Sequence, residues 1–281
     1  MKRANDLSTE TIRDALTTRR LGRPALYFPS IGSTNDELLA RAAAGATEGL
    51  LAVADAQTAG RGRLERAWWA PPGSSLLMSL LLRPPIPPSR AGQLTMCLGL
   101  AAVEGIEAVT GLRPALKWPN DLLLDGSKLG GMLSELRLAG ERLDYAVLGL
   151  GLNVNLAFDG SGVPADIAAT AISLSGALGR PVDRLPLLVA ILARCEAWYD
   201  RLLGGASPHR AWADRLDTLG RAIAVALPNG TIYGVATGVT PEGALLVRDA
   251  AGRLQTIWAG DVTTVRDTVA SRLGHSKAAM L

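Results

Sequence analysis

The chain has 281 residues, of which 48% are apolar and 20% charged, and its formal net charge is +3. This composition is typical of a globular protein with a substantial core and excludes an intrinsically disordered chain. The net charge is too small to require a nucleic-acid partner. Because the longest apolar runs fall short of a membrane span and residues 1–20 lack a signal-peptide pattern, we expect a cytoplasmic protein that does not associate with membranes.

Cysteine, histidine and lysine are all scarce. The two cysteines, Cys97 and Cys195, and the two histidines have no metal-type neighbours in the sequence, which argues against a His-rich metal site and a Ser-His-Asp triad. Cys97 lies in an apolar helical run and is predicted to be a buried, inert thiol. Arginine outnumbers lysine 25 to 4, so the internal pair Lys117 and Lys128 suggests a need for a compact ammonium group.

The first predicted elements are a weak helix within residues 1–20, a short strand at 26–29 and a helix from about residue 34 to 44. Ser33 or Thr34 is a good N-cap for this second helix, which has acidic residues in its first turn and Gly45 at its end. The polar run at 33–35 is therefore either only a helix cap or a helix N-terminus that also offers donors to a polar ligand.

A predicted strand at 50–54 leads into the loop 57–69, and a nearly continuous apolar strand, expected to be central in a sheet, follows at 75–82. The loop contains two glycines and three arginines: Gly60, Arg61, Gly62, Arg63 and Arg66. The glycines allow φ > 0 and a close approach of the backbone to a ligand, and the arginines carry forked donors for phosphate or carboxylate. The loop is thus either an anion-binding site or a solvated basic loop.

A long helix is predicted at 90–110, ended by Gly111, and a second polar stretch follows at 116–135. Asp125-Gly126 between apolar runs predicts a hairpin turn. Lys128 lies just past this turn and is followed closely by two glycines. It is either an exposed hairpin lysine or a cation that reaches into a site.

Other positions of the central region also have two interpretations. Lys117 and Asp121 could form a surface ion pair, and Asn120 could serve only the chemistry of a turn. A strand is predicted at 143–155, and its glycines Gly149 and Gly151 suggest that a neighbour or a ligand approaches the backbone closely.

The C-terminal part changes from helices to short strands. Helices are predicted at 166–178, 183–203 and 207–216. After Gly220, β-type segments follow at 221–227, 231–239, 244–248, 254–258 and 262–265. Five short strands in this space predict a small β-barrel or SH3-like domain, and the tail from 268 is expected to be disordered.

The polar clusters offer cations and flexible backbone. The sequence has no paired carboxylates suited to hydrolysis, no nucleophile placed with a base, no Walker loop and no dinucleotide fingerprint. This set suits charge stabilisation at a phosphate, with reactants that supply their own nucleophiles. Adenylation of a carboxylic acid by ATP fits it, because negative charge then collects on phosphate oxygens and on the leaving pyrophosphate.

Five motifs together resemble those of the biotin protein ligases across roughly residues 26–266. They are Ser33-Thr34-Asn35, Gln57-x-x-Gly60-Arg61-Gly62-Arg63-x-x-Arg66-x-Trp68, Lys117-Trp118-Pro119-Asn120-Asp121, Lys128-Leu129-Gly130-Gly131 and Gly149-x-Gly151-x-Asn153. Each motif is weak alone, but their order and spacing are jointly specific. The resemblance implies that biotin and ATP, with Mg²⁺, give biotinyl-5′-AMP, and that biotin then passes to a lysine of the carrier domain of acetyl-CoA carboxylase or a related carboxylase.

The resemblance also implies an α+β fold, in which a class II synthetase-like mixed β-sheet with flanking helices precedes a small C-terminal SH3-like β-barrel. The expected division is an N-terminal extension at 1–25, partly helical or disordered, a catalytic biotin/ATP-binding domain at 26–218, the SH3-like domain at 219–267 and a disordered tail at 268–281.

The family's functional residues carry over onto matching positions of this sequence. Biotin is expected to contact Ser33, Thr34, Asn35, Gln57, Gly60, Arg61, Gly62, Arg63, Lys128 and Gly131. ATP and the adenylate are expected to contact Arg63, Arg66, Trp68, Lys117, Asn120, Asp121, Lys128, Asn153 and Arg266. Lys128 and Arg63 are the expected catalytic groups, and Lys128 would contact both the biotin carboxylate and the α-phosphate. Trp68 would stack on the adenine side, and Arg66 would brace the loop. Asp121 would bind Mg²⁺ indirectly or orient the incoming lysine amine.

On this interpretation the loop 57–69 is a mobile lid, hinged at Gly60 and Gly62 and disordered while the site is empty. Bifunctional members of the family carry an N-terminal DNA-binding domain, whereas about 25 residues precede the predicted core here. We therefore expect a ligase that does not bind DNA and that is a monomer or a weak homodimer.

Two rival interpretations remain. A lipoate or octanoyl transferase of the same superfamily is disfavoured by the arginine loop, the stretch 117–121 and the C-terminal β domain. A nucleic-acid-binding module that uses the arginine loop is disfavoured by the mild net charge and by the absence of interleaved exposed aromatic residues.

Overall fold

The computed structural model describes residues 7–64, 66–158, 163–228 and 230–264. Its helices are α1 Thr9–Ala15, α2 Thr34–Ala43, α3 Gly92–Thr110, α4 Ala165–Ala168, α5 Leu174–Leu178, α6 Arg184–Leu203 and α7 His209–Ala213, with a short 3₁₀ helix at Pro88–Arg90. Its strands are β1 Ala25–Phe28, β2 Leu51–Ala54, β3 Ser75–Leu82, β4 Ala115–Lys117, β5 Asp121–Leu124, β6 Ser127–Ala139, β7 Arg142–Asn153, β8 Ala222–Leu227, β9 Gly230–Val239, β10 Leu245–Arg248, β11 Leu254–Ile257 and β12 Asp261–Thr264. Arg266 and the predicted tail at 268–281 lie outside the described residues.

A seven-stranded mixed sheet carries the larger part of the fold, in the order β1-β2-β3-β7-β6-β5-β4. β1 and β2 are parallel, and the other five neighbouring pairs are antiparallel. All eight residues of β3 are buried, because this strand lies between two neighbours and is covered on both faces. The predicted central strand and the mixed sheet with flanking helices are therefore confirmed.

Helices cover both faces of this sheet. In β3, Leu80 and Leu82 belong to the large core that includes α3 and α6, whereas Leu81 belongs to a smaller core under α2. The alternation follows from the two-residue period of side chains along a strand. α3 and α6 approach so closely that a Cβ atom on Gly105 would lie 2.9 Å from the backbone nitrogen of Ile191. The sheet is thus held rigidly between two helical layers.

The helix predicted near the N-terminus is present as α1. Ser8 caps it by accepting a hydrogen bond from the backbone N–H of Thr11, and α1 packs against β1 and α6. Farther along this segment, the Glu196 carboxylate on α6 accepts three backbone N–H groups, those of Arg19, Arg20 and Leu21, at 2.8–3.1 Å. The described part of the N-terminal extension is therefore fastened to the main domain.

α3 is a core helix. By length and composition alone, the stretch Pro88–Thr110 is long and apolar enough to cross a membrane, contrary to the expectation from the apolar runs. However, 67% of its most apolar window is buried inside the fold. Its last turn ends at Gly111, which has φ of 75° as predicted for a helix-ending glycine.

The C-terminal strands form a separate five-stranded antiparallel sheet in the order β11-β10-β9-β8-β12. The five strands lie within about two residues of the predicted positions, so the β-rich C-terminal part is confirmed. Among the described residues the hydrogen-bonded order does not close on itself, so the sheet is present and a closed barrel is not found.

The single helix predicted at 166–178 is wrong. The chain forms α4 and α5 with a non-helical break at residues 169–173. Within the break, Thr170 and Ile172 exchange backbone hydrogen bonds with Lys128, at 2.8 and 2.9 Å. Ser173 then starts α5 by accepting the N–H of Gly176. Pairing with a distant strand has replaced local helix propensity here.

Candidate active site

One cavity collects most of the residues singled out in the sequence. Its volume is about 820 Å³ when the open solvent space at its mouth is included. Its lining residues come from the α2 N-terminus, the loop 57–68, β3, the hairpin β5–β6, β7 and the start of β12. They are Ser33, Thr34, Asn35, Gln57, Arg61, Gly62, Arg63, Arg66, Ala67, Trp68, Met78, Asn120, Asp121, Lys128, Gly131, Met132, Leu133, Gly149, Leu150, Gly151 and Asp261.

Three glycines of neighbouring strands, Gly131, Gly149 and Gly151, form what we call the glycine floor of the cavity. Gly131 and Gly151 are paired across β6 and β7. The indole of Trp68 lies against them, so that a Cβ atom on Gly151 would be 2.5 Å from Trp68 Cε2. A Cβ atom on Gly149 would overlap Asn35 Oδ1. The predicted close approach to these strand glycines is therefore confirmed, and side chains make it.

The polar end of the cavity is built on the N-terminus of α2, which Ser33 caps. Gln57 Oε1 accepts the backbone N–H and the hydroxyl of Thr34, at 2.7 and 3.0 Å. The Ser79 hydroxyl of β3 is 2.7 Å from Thr34 Oγ1 and 2.6 Å from Asn35 Oδ1. Thr34, Asn35 and Ser79 are buried, so this hydrogen-bonded chain fixes the orientation of each group.

The loop from Gly60 to Trp68 folds back on itself, and we call residues 60–68 the arginine hairpin. The Trp68 N–H donates to the Gly60 carbonyl at 2.9 Å, and the Gly62 N–H donates to the Arg66 carbonyl at 2.7 Å. Neither Gly60 nor Gly62 adopts the positive φ that glycine allows, and the residue of this loop with a left-handed backbone is Leu64, with φ of 55°. Gly60 is instead required for space, since a Cβ atom there would be 2.7 Å from the Trp68 carbonyl oxygen.

Each arginine of the hairpin has its own partner. Arg61 pairs with the carboxylates of Asp36 and Glu135. Burial lowers the pKa of Arg61, but these carboxylates raise it by more, so the net shift is upward. Arg63 Nη1 donates to Asn120 Oδ1 at 3.1 Å, and its guanidinium also reaches the Gly260 carbonyl.

The third arginine ties the hairpin to the C-terminal sheet. Arg66 forms an ion pair with Asp261 at the start of β12. The Arg66 side chain is 69% exposed, so this pair is solvated and contributes little to stability. The outer part of the hairpin is thus attached largely through its charged side chains, whereas Trp68 at its base packs on the glycine floor.

Lys128 stands on the hairpin predicted from Asp125-Gly126, where both turn residues have positive φ, 51° and 79°. Its ammonium nitrogen is 2.8 Å from Asp121 Oδ1 and 6.0 Å from the centre of the Trp68 ring. The side chain is 42% exposed and lines the cavity. A cation held by one carboxylate at a cavity wall is free to exchange that partner for a phosphate or carboxylate of a ligand.

The backbone of Lys128 is held by the break between α4 and α5. Beside it, Asn153 Nδ2 donates to the Ile172 carbonyl at 3.1 Å, and Asn153 is buried. Asn153 therefore fixes the segment that brackets Lys128. It does not line the cavity, although the sequence placed it in the nucleotide site.

Two other predicted site residues, Gly60 and Lys117, are not among the lining residues of the cavity, and Lys117 lies on the edge strand β4. Arg266 lies outside the described residues. Conversely, Ser79 and Glu135 were missed. Ser79 had a usable signal, because it interrupts an apolar strand, whereas nothing in the local sequence marks Glu135.

The carboxylate and amide groups of the cavity can hold Mg²⁺ only together with the phosphates of a bound nucleotide. The described residues contain no group of three or more His, Cys, Asp or Glu side chains that could hold a metal ion. Asp121 offers one carboxylate, already paired with Lys128, and Asn120 lies beside it. Mg²⁺ in nucleotide sites takes one or two carboxylates and completes its shell with phosphates and water. Protein ligands alone do not make a site here.

Cys97 is buried, as predicted, and Cys195 is buried as well. Burial raises the pKa of the Cys97 thiol far above its usual value, and burial together with the nearby Glu196 raises that of Cys195 to about 12. Neither thiol forms a thiolate at neutral pH, so neither is a nucleophile.

A groove adjoins the cavity and shares Arg63, Asn120, Met132 and Leu133 with it. It runs between the 3₁₀ helix, the start of α3 and the C-terminal sheet, and it includes Trp258, which is 66% exposed. The shared residues place the groove directly beside the cavity.

Comparison with known proteins agrees with the geometry. The sequence profile of the Biotin/lipoate A/B protein ligase family matches residues 27–153, and that of the Biotin protein ligase C terminal domain matches residues 218–263. The Bifunctional ligase/repressor BirA of Bacillus spizizenii is 37% identical over 93% of this chain and 80% of its own length. The Biotin--[acetyl-CoA-carboxylase] ligase of Mycobacterium tuberculosis is 35% identical over 92% of this chain and 96% of its own length.

A solved structure agrees as well. The biotin protein ligase from Aquifex aeolicus, in complex with biotin and ATP, superimposes with a TM-score of 0.72 at 28% identity, over 86% of this chain and 98% of that one. Relatives of more than 30% identity match along most of their length, and both family profiles fall on the two sheets. The resemblance seen in the sequence is therefore confirmed, and the chain belongs to the biotin protein ligase family.

Proposed function

We propose that this ligase activates biotin with ATP to biotinyl-5′-AMP and transfers the biotin to a specific lysine of a carboxylase carrier domain. The observation that carries the proposal is the single cavity in which Lys128 and three arginines face the Thr34–Gln57 polar end. Such an arrangement can bind an uncharged polar head at one end and phosphate at the other. The Aquifex aeolicus structure, which carries biotin and ATP, supports the same pair of substrates.

In the first step a biotin carboxylate oxygen attacks the α-phosphorus of ATP, and pyrophosphate leaves. In the second step a carrier lysine nitrogen attacks the acyl carbon, loses its proton to solvent or a nearby base, and AMP leaves. The substrates supply both nucleophiles, so the protein's task is to align them and to stabilise charge.

Lys128 is the proposed stabiliser of the first transition state, assisted by Arg63. Release of Lys128 from Asp121 would give its ammonium to the carboxylate and the α-phosphate. The freed Asp121 carboxylate could then orient the incoming amine or bind Mg²⁺ indirectly. Mg²⁺, when bound with the nucleotide, would supply further charge neutralisation at the phosphates.

The biotin head is proposed to lie at the polar end. Gln57 and Thr34 are linked there by hydrogen bonds, and a ureido group both donates and accepts. Trp68, whose buried indole nitrogen has no hydrogen-bond partner among the described residues, offers a further donor to a ligand. Its position on the glycine floor makes it a wall of the pocket, and stacking on the adenine side stays a prediction.

The adjoining groove supports a macromolecular second substrate, because it borders the cavity at Arg63 and Asn120 and carries the exposed Trp258. The absence of a DNA partner, the monomer or weak homodimer, the cytoplasmic location and the domain limits at 26–218 and 219–267 remain predictions. They do not affect the proposed chemistry.

The direct test is transfer of labelled biotin to a purified carrier domain, with and without ATP. We expect transfer only with ATP, with AMP and pyrophosphate released in equal amounts. Lipoate replaces biotin in the control reaction. Transfer of lipoate but not biotin would identify a lipoate ligase, and transfer without ATP would contradict the adenylate route.

A further inference from the structure

Glu135 lies beside the cavity and contacts two of its lining residues, Asn35 and Arg61. It lies on β6 opposite Val147, and its side chain is 25% exposed. Its Oε2 atom accepts hydrogen bonds from two directions, from Asn35 Nδ2 and from Arg61 Nη2, each at 2.8 Å. Asn35 belongs to the cavity wall and Arg61 to the arginine hairpin. One carboxylate oxygen thus joins the two parts of the site.

The Asn35 side of this contact is buried. The Asn35 amide is 4% exposed and has a defined orientation, with its Oδ1 atom facing Ser79 and its Nδ2 atom facing Glu135 and the Leu133 carbonyl. Ser79 continues the chain of hydrogen bonds to Thr34. Without the charge of Glu135, the Asn35 amide loses its strongest acceptor. The orientation of the hydrogen bonds from Asn35 through Ser79 to Thr34 is then less constrained.

The Arg61 side of the contact is half exposed. The guanidinium, 38% exposed, bridges Glu135 and Asp36, and the Asp36 side chain is 54% exposed. Both carboxylates meet the same nitrogen, Nη2. Among the described contacts, the Asp36 carboxylate touches no lining residue of the cavity apart from Arg61. Asp36 is therefore a matched control that shares the hairpin contact and lacks the contact with Asn35.

We propose that Glu135 is a positioning residue that couples the biotin end of the cavity to closure of the arginine hairpin. It orients the Asn35–Ser79–Thr34 chain and at the same time holds Arg61 over the cavity. Biotin affinity and retention of the adenylate therefore depend on the same carboxylate, although Glu135 touches neither reacting atom. This inference rests on the proposed function of the cavity.

The test compares Glu135→Gln with Asp36→Asn in four measurements: KM for biotin, kcat, the rate at which biotinyl-5′-AMP leaves the protein, and the melting temperature. For Glu135→Gln we expect KM to rise about fivefold, because a charge-assisted hydrogen bond becomes a neutral one. We expect adenylate release to rise about threefold, with kcat changed by less than about twofold. For Asp36→Asn we expect unchanged KM and a rise in release of less than about twofold.

The background variant Arg61→Ala separates the two arms of the coupling. In that background, Glu135→Gln should still raise KM and should no longer change adenylate release. Equal effects of Glu135→Gln and Asp36→Asn on both quantities would overturn the proposal. So would a lower melting temperature for Glu135→Gln with KM and release unchanged, because that pattern is purely structural.

A further readout needs no catalysis. Trypsin cleaves after arginine, so the rate of cleavage within the arginine hairpin of the ligand-free protein reports how firmly the hairpin is held. We expect faster cleavage in Glu135→Gln than in Asp36→Asn. If the wild-type protein formed no adenylate, the proposed function would fail. The cleavage rates would still decide whether Glu135 holds the hairpin. Equal cleavage rates in the two variants would overturn that role.

Discussion

The two walls of the cavity are built in opposite ways. The glycine floor is part of two long paired strands, and its shape is set by backbone hydrogen bonds and by an indole that fits only where Cβ atoms are missing. The arginine hairpin contacts the floor at its base, where Trp68 packs on it, but its outer part is held to Asp36, Glu135 and Asp261 by ion pairs of Arg61 and Arg66. Buried packing resists opening, whereas solvated ion pairs contribute little.

We infer from this difference that the two walls have different roles in ligand binding. The floor and the α2 N-terminus are preformed and select the ligand, whereas the hairpin can exchange protein carboxylates for ligand phosphates and close over them. A cation that already has a weak partner is kept in place and remains available. Substitutions in the two walls should therefore have different effects.

Removal of the Lys128 ammonium should have the largest effect, because it is proposed to stabilise charge that develops at the reacting phosphate. We expect Lys128→Ala to slow adenylate formation by about 100-fold or more. Single-turnover release of pyrophosphate measures this rate. The matched control is Lys117→Ala, which removes a lysine outside the cavity and should change the rate by less than about twofold.

A Lys128→Ala variant that formed adenylate at a near wild-type rate would refute the assigned role. A large loss in Lys117→Ala would instead restore the prediction, made from sequence, that Lys117 contacts the nucleotide. The two variants together therefore separate the structural assignment from the assignment by motif.

The glycine floor should tolerate no side chain. In Gly151→Ala the new Cβ atom would overlap the Trp68 ring, and overpacking of this kind costs about 1–3 kcal/mol. We expect biotin affinity to fall about tenfold or more, measured by isothermal titration calorimetry. Gly32→Ala is the control, since a Cβ atom there meets nothing within 4 Å. Equal affinities in the two variants would mean that the floor does not shape the site.

The outer attachment of the hairpin should be weaker and sensitive to salt. Arg66→Ala and Asp261→Asn each break the exposed pair that links the hairpin to the C-terminal sheet. We expect adenylate release to rise about two- to threefold at low ionic strength, and the difference to disappear at high salt. If the rise in adenylate release exceeded about tenfold and did not depend on salt, the hairpin would not be attached by exposed ion pairs, and the contrast with the floor would be wrong.

The smallest expected effect concerns Glu196 on α6, which holds the N-terminal segment outside the cavity. Burial raises the pKa of Glu196, but three backbone N–H donors of the N-terminal segment outweigh it, so the pKa lies below its usual value. A carboxyl with a lowered pKa stabilises the fold above its unfolded pKa, and this contribution is lost as pH falls through the folded value. We expect the free energy of unfolding to fall below about pH 4.5, and this fall to be shallower in Glu196→Gln, measured by urea unfolding.

Local signals in the sequence predicted much of the fold. Ser33 as a cap, the turn at Asp125-Gly126 and the five C-terminal strands all depend on neighbours within a few residues, and all are confirmed. The split of residues 166–178 into two helices was missed, because it results from pairing with Lys128, about 40 positions earlier.

The site was predicted less completely, for the same reason. Ser79 meets Asn35 across 44 positions and Glu135 meets Asn35 across 100, so neither could be found without the sheet that joins them. For Gly60 and Gly62 the sequence allowed both a positive φ and a close approach of the backbone, because the missing Cβ atom does not show which of the two is used. Leu64, with its left-handed backbone, had no local signal.

Amide hydrogen exchange with and without biotinyl-5′-AMP tests the central claim most directly, since it reads both walls of the cavity in one experiment. We predict that the amides of residues 61–66 exchange rapidly in the free protein and become protected when the adenylate binds, while those of residues 146–153 in β7 are protected in both states. Equal, strong protection of residues 61–66 with and without ligand would contradict the account, because the outer part of the hairpin would then be as rigid as the floor.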